Sequence, residues 1–397
     1  MNPAVRSAHR HSPGNAAVAL LSIAFRPFFL SAALLAAFWL LLWIAALQGW
    51  ASPSPAVPLP LWHSHEMLFG FAMAVLVGFL LTAAQNWTGR STTTPGVLAL
   101  LLGLWWSARA GFLLPELMPL WLTSVLDVAL LPIVAILLAR VLIPTANRRN
   151  YAFLLILPAL TTFNIVLHLG FHGLVPAGLV HRAMDGSLLM VTTVLVFMGG
   201  RVIPFFTTRR LPAAAPKRWP ALDWTATIMV VLCFLGVLTV GRHASLAPLL
   251  FAAATVNLAR LLAWRPWRVS REPMLWILHL GYAWIPVGLL VLGFHLAGVM
   301  SLSWSAGAHV LAVGALGTLA LGMMARVTLG HTGRPIQAPP LLLAAFISIS
   351  GAALLRLVAA LVPGLPGMLG LSGLLWATAF LLYVVVYTPI FLRPALD

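Results

Sequence analysis

Twelve apolar runs follow one another along almost the whole of this chain. Each is roughly 20 residues long, the length an α-helix needs to cross a bilayer. They run approximately over 27–47, 62–84, 95–114, 119–142, 150–172, 178–205, 221–241, 244–264, 274–297, 303–326, 338–361 and 368–391. Between them lie breakers such as Ser52-Pro53-Ser54-Pro55, Thr94-Pro95-Gly96, Arg271-Glu272-Pro273 and Pro363-Gly364, which punctuate regular structure. In hydrocarbon every backbone polar group must be paired within the protein, which leaves helices or a closed barrel. A barrel strand alternates in polarity with a period of two, and these runs are continuously apolar. The chain is therefore read as an all-α polytopic membrane bundle of about twelve helices, with residues 17–397 forming one transmembrane domain. Composition agrees: 8% of residues are charged and the mean hydropathy is +1.01, where soluble domains carry about 25% charged residues.

The net charge of +16 does not signal nucleic acid, since no basic face is interleaved with stacking aromatics on a soluble element. It signals topology, because cytoplasmic loops hold the excess of Lys and Arg. With the N-terminus inside, only Arg109, Arg182, Arg242 and Arg356 of the 23 basic residues fall at outer ends. Residues 1–16, with Arg6, His9, Arg10 and His11, read as an uncleaved cytoplasmic tail, and the C-terminus is expected inside as well. The single cysteine, Cys233, permits neither an internal disulfide nor a Cys-based iron–sulfur site, and C-x-x-C-H is absent, so any haem is held without covalent attachment.

Placed by depth at about 1.5 Å per residue, seven of the 12 histidines share the outer side: His63, His65, His168, His172, His181, His295 and His309. Spans 2, 6 and 10 each begin with one of them (His65, His181, His309) and end in a basic inner motif. Those motifs are Asn86-Trp87-Thr88-Gly89-Arg90, Thr207-Thr208-Arg209-Arg210 and His331-Thr332-Gly333-Arg334. A repeat every four spans implies three four-helix arcs, with these three helices facing a shared centre.

Imidazole suits haem iron and copper, and a layer of histidines inside a bundle is economically explained as ligation of either. His63 and His65 lie about 200° apart around a helix and face different sites. His65 is the first choice for a haem ligand, with His309 opposite; His63 faces a second site or the interface. Glu66 is placed to orient an imidazole and to move protons. His168 and His172, four apart on one helix face, with His181 from the next helix, form a candidate copper triad, and Asn164 extends that face. Asp185 and Asp127 are intramembrane acids, costly unless paired or used. Arg182 is a partner for either acid or for a haem propionate. His279, Tyr282 and His331, at the inner side, read as packing residues.

These residues together resemble the NnrS family. The resemblance is carried by Phe25-Arg26-Pro27-Phe28-Phe29, Trp62-His63-Ser64-His65-Glu66-Met67, Gly78-Phe79-Leu80-Leu81-Thr82, Asn86-Trp87-Thr88-Gly89, Gly200-Arg201-Val202-Ile203-Pro204-Phe205-Phe206 and Arg326 to Arg334. It implies a twelve-helix bacterial inner-membrane protein containing haem b and copper, associated with denitrification and with defence against nitric oxide and nitrosative stress. The four-span periodicity is loosely similar to that of haem–copper oxidases, although span 7 here carries no histidine. The expectation is reduction or detoxification of nitric oxide, with electrons from a quinol or a periplasmic carrier and protons through Glu66 or Asp185. The competing expectations are a transporter with histidine sites near its middle and a haem protein that senses or transfers electrons without turnover.

Overall fold

The computed structural model describes residues 16–396 apart from 54, 218, 300, 363 and 366; the proposed tail with Arg6, His9, Arg10 and His11 lies outside the described residues, as does Arg218. All the regular structure described is helical. Twelve helices are long and apolar enough to cross a membrane: spans 1 (Phe25–Leu47), 2 (Leu59–Thr88), 3 (Pro95–Leu113), 4 (Leu120–Leu142), 5 (Arg148–Phe171), 6 (Ala177–Arg210), 7 (Pro220–Val240), 8 (Ala244–Ala263), 9 (Pro273–Ala297), 10 (Trp304–Gly330), 11 (Pro340–Leu361) and 12 (Met368–Phe391). Spans 2 and 10 are longer than their apolar runs. Span 2 begins before Trp62 because Pro60 is tolerated in the first turn, where its missing N–H has no intrahelical partner to lose. Span 10 runs on through Arg326 to Gly330.

Successive spans pack side by side, and span 12 returns to span 1, so the chain closes on itself. Within that wall, spans 2, 6, 9 and 10 are buried over 72, 67, 67 and 83% of their apolar windows, against 28–50% for the other eight. Span 6 packs against both span 2 and span 10. The three helices that begin with a histidine thus share the centre, joined there by span 9.

Spans 2 and 10 have a further feature in common. Directly after His65 the helix widens into a π-helical stretch, Glu66–Ala72, and directly after His309 it does so again over Val310–Gly317. π-Helical turns are rare and cluster at functional sites. At the opposite end of the bundle the two helices also close alike. Thr88 and Thr332 bond back to the carbonyls four residues earlier at 2.7 and 2.6 Å, and Gly89 and Gly333 take φ of +66° and +70°, which favours glycine. Asn86 and His331 meet side by side at 3.4 Å.

The motif blocks of spans 1 and 2 are explained by their contact. The Phe25 N–H donates to Thr82 Oγ1 at 3.0 Å. One turn earlier, Gly78 lies so close to span 1 that a Cβ there would sit 2.9 Å from Phe28 Cβ and 3.1 Å from the Phe29 ring. Cβ of Phe28 cannot move without its backbone, so Gly78→Ala must part the two helices. Overpacking of this kind costs about 1–3 kcal/mol, and a lowered thermal midpoint of the detergent-solubilised protein is the expected result; an unchanged midpoint would refute the close approach. Arg26 ties the chain ends together, donating to the carbonyls of Ala19, Phe391 and Arg393 at 3.1, 3.0 and 2.7 Å.

Candidate cofactor and metal site

At the end of the bundle where span 2 begins, four neighbouring helices each contribute a polar group to a buried cluster. Span 2 gives His65 and Glu66, span 3 Arg109, span 4 Asp127 and Ser124, and span 5 Asn164 and His168; all are less than a tenth exposed. Arg109 forms ion pairs with Glu66 Oε2 at 2.9 Å and with Asp127 Oδ1. The second oxygen of Asp127 accepts from Asn164 Nδ2 at 2.8 Å and from His168 Nε2 at 3.0 Å. His65 lies between the acids, with Nδ1 3.2 Å from Glu66 Oε1 and Nε2 3.2 Å from Asp127 Oδ2. Its Nε2 is also 3.0 Å from Asn164 Oδ1. Beyond His168, Ser124 Oγ is 2.9 Å from its Nδ1 and 3.1 Å from Nε2 of the exposed His172. The rings of Phe69, Phe112 and Phe171 wall His65 off.

The charge balance follows from these contacts. Two carboxylates and one guanidinium leave a surplus negative charge, and buried charges need compensation. Both nitrogens of His65 face only acceptors, so each carries a proton, and the imidazolium neutralises the cluster. A monovalent metal ion would balance the same charge in place of that proton. His65, Asp127 and His168 bring donor atoms within 4.8 Å of one another, the one compact group of three potential ligands among the described residues.

A second site lies on the other face of span 2. A cavity of about 700 Å³ opens between spans 1, 2, 6, 10, 11 and 12, with His63, His309, Arg356 and Asp185 on its walls. Ligand pockets commonly span about 300–1,000 Å³. The rest of the lining is largely apolar, including the π-helical residues Leu68, Phe71, Ala312 and Leu316. His63 stacks on Trp43, with ring centroids 4.5 Å apart. Its ring also faces that of His309 at 6.3 Å with only 14° between planes. His309 Nδ1 donates to the Ser305 carbonyl at 2.7 Å, which leaves Nε2 with its lone pair free. Among the described residues neither nitrogen of His63 has a hydrogen-bond partner. Asp185 is held by Arg242 through two contacts of 2.8 and 3.0 Å and by Trp304 Nε1 at 2.8 Å.

The candidates drawn from sequence therefore divide differently from the expectation. His63 and His65 do face separate sites, as a two-residue step on a helix requires. His65, however, is not opposite His309. It belongs to the buried cluster with Asp127 and His168, and His63 is the residue facing His309. The reason is rotational: the deeper histidine points toward spans 3–5, a direction that depth cannot supply. The triad of His168, His172 and His181 does not form. His172 reaches the cluster only through Ser124, and His181 is exposed. Arg182 is exposed too and donates to the Thr239 carbonyl at 3.4 Å, so neither acid is its partner. Glu66 is paired with Arg109 and does not line the cavity, whereas Asp185 does. His295 Nδ1 bonds to the Leu302 carbonyl at 2.7 Å.

Sequence reasoning overlooked Arg109 and Arg356 as site residues. The signal was present, since both were exceptions to the basic asymmetry of the chain. Of those four arginines, Arg109 neutralises the cluster, Arg242 holds Asp185 and Arg356 lines the cavity.

The chain was compared with known proteins. No curated protein matches it. A family model described as NnrS protein matches residues 19–395, which takes in all twelve spans and every residue of both sites. A match over nearly the whole length establishes kinship, and the chain belongs to the NnrS family.

Proposed function

We propose that this protein binds haem b in the cavity lined by His63 and His309, holds copper at His65, Asp127 and His168, and acts on nitric oxide in the inner membrane of a bacterium. The observation that carries the reading is that His63 and His309, their rings nearly parallel with centroids 6.3 Å apart, line one largely apolar cavity of about 700 Å³. The donor chemistry suits haem. His309 offers Nε2 because its Nδ1 proton is given to a backbone carbonyl, the usual arrangement behind a metal-bound histidine. His63 is braced by the Trp43 indole, and Arg356 supplies a cation for a propionate. Copper suits the buried trio on charge, since a monovalent ion replaces the His65 proton without changing the sum, and imidazole is a ligand copper accepts.

A haem held here would supply an iron that exchanges electrons and, where His63 yields its place, binds a diatomic ligand. The protein's own residues would do the rest. Asp185, held by Arg242 and Trp304 on the cavity wall, is the group placed to hand on a proton there. The Glu66–Arg109–Asp127 cluster positions His65 and keeps the neighbouring helices in register. Electrons would come from a quinol or a periplasmic carrier, with both chain ends in the cytoplasm.

The test is direct. Protein purified in mild detergent should carry iron and copper and show a Soret band that moves on addition of nitric oxide. Absence of both metals from folded protein would sink this reading and favour a transporter. Consumption of nitric oxide with a chemical reductant would mark an enzyme, and a spectral shift without consumption a sensor or carrier. His331→Ala should leave the Soret band unchanged, because His331 lies at the far end of the bundle beside Asn86.

A further inference from the structure

Directly beyond the histidine cavity, toward the middle of the bundle, the central helices leave a second and smaller space of about 100 Å³, partly open on one side. Every residue on its wall is apolar, with Phe29, Met73, Phe79, Met198, Leu316 and Met323 among them. Spans 2, 6 and 10 each present one methionine to it. A water molecule in such a space would find none of the two to four polar partners it needs, and dry apolar cavities of this order take up xenon and other small apolar guests. Flexible thioether side chains yield readily to a passing guest.

Its position is as telling as its lining. Leu316 lies on the walls of both spaces, so its side chain stands at the boundary between them. Ala72, the last residue of the π-helical stretch of span 2, borders the chamber, and Leu316 is the penultimate residue of the stretch in span 10. Both widened turns therefore end where one space gives way to the next. A tight core would close a void between four central helices, since unfilled space forfeits dispersion contacts.

We infer that this chamber is a binding site for a small apolar gas molecule, nitric oxide or dioxygen in chemical class, which reaches the histidine cavity by displacing the Leu316 side chain. Occupancy of the chamber stands by itself; the onward passage rests on the proposed haem site.

Xenon is the probe. The purified full-length protein is titrated under xenon pressure and followed by ¹²⁹Xe NMR. Saturable binding is expected in the wild-type protein. It should be lost in Val194→Phe, which places a ring in the chamber, and retained in His63→Ala, which alters only the neighbouring cavity. Should Val194→Phe fail to fold, Met198→Phe fills the same space from one turn further on. Absence of saturable xenon binding in folded wild-type protein would overturn the inference, as would binding that persists unchanged in a folded filled variant. The passage is read separately. In Val194→Phe, which fills the chamber without touching the histidine cavity, flash-photolysed gas should rebind to the haem several-fold more slowly while the Soret band keeps its position; an unchanged rate would refute the passage. Protein that binds xenon but holds no haem would fail the proposed function and leave the chamber intact.

Discussion

Replacing Arg109 by methionine is expected to cost roughly 3–5 kcal/mol of stability, the range seen when one partner of a buried ion pair is removed and the other charge is left alone. Arg109 is fully buried and touches both Glu66 and Asp127. Without it, two carboxylates remain in a place where water does not reach, and His65 can neutralise only one of them. Neighbours cannot rearrange to help, because Phe69, Phe112 and Phe171 pack around His65. Arg109→Lys should recover part of the loss. It keeps the charge but has one ammonium where two carboxylates are gripped by a planar fork. The combination of Arg109→Met with Glu66→Gln and Asp127→Asn should be less unstable than Arg109→Met alone, since the uncompensated charges go with the arginine. Denaturant unfolding in micelles measures all of these. A single Arg109→Met variant as stable as the parent would show that the cluster does not hold the charges described.

Loss of haem from His309→Ala is the second large effect expected. His309 has one nitrogen committed to the Ser305 carbonyl and the other free toward the cavity, so alanine removes the proposed ligand and leaves the backbone packing nearly intact. The Soret absorbance and the iron content of purified protein should fall to near background, and His63→Ala should lower both as well. His65→Gln should keep the Soret band and lose copper, because glutamine cannot replace an imidazole ligand between Glu66 and Asp127. Size-exclusion profiles show whether each variant is folded. The opposite pattern, with haem lost in folded His65→Gln and kept in His309→Ala, would exchange the two sites and overturn the assignment. Arg356→Ala should weaken haem retention without abolishing it, since an arginine at a propionate contributes charge and hydrogen bonds but no ligand to iron.

The two sites share one helix, and that is where sequence and structure part. The apolar runs alone determined that the chain is a bundle of twelve helices, because hydrocarbon leaves a continuous apolar segment no other way to pair its backbone. Basic asymmetry and the rise of a helix put His63, His65, His168 and His309 at one end of the bundle, since depth is linear in residue number. The recurrence of a histidine and a basic motif in spans 2, 6 and 10 marked those helices as related, and their burial places them at the centre.

Which histidine meets which partner was beyond the sequence. That depends on how each helix is rotated about its axis and on which helices are neighbours. Both are decided by side-chain packing among segments that are apolar on every side, where polarity gives no face to prefer. The π-helical turns after His65 and His309 add a further rotation that no local residue pattern announced. The sequence by itself determined the helices, their number and the level of the chemistry. Only the tertiary structure decided that span 2 turns His65 toward Asp127 and His63 toward His309, because contacts between distant helices, and not the order of residues along one, set the direction in which a side chain points.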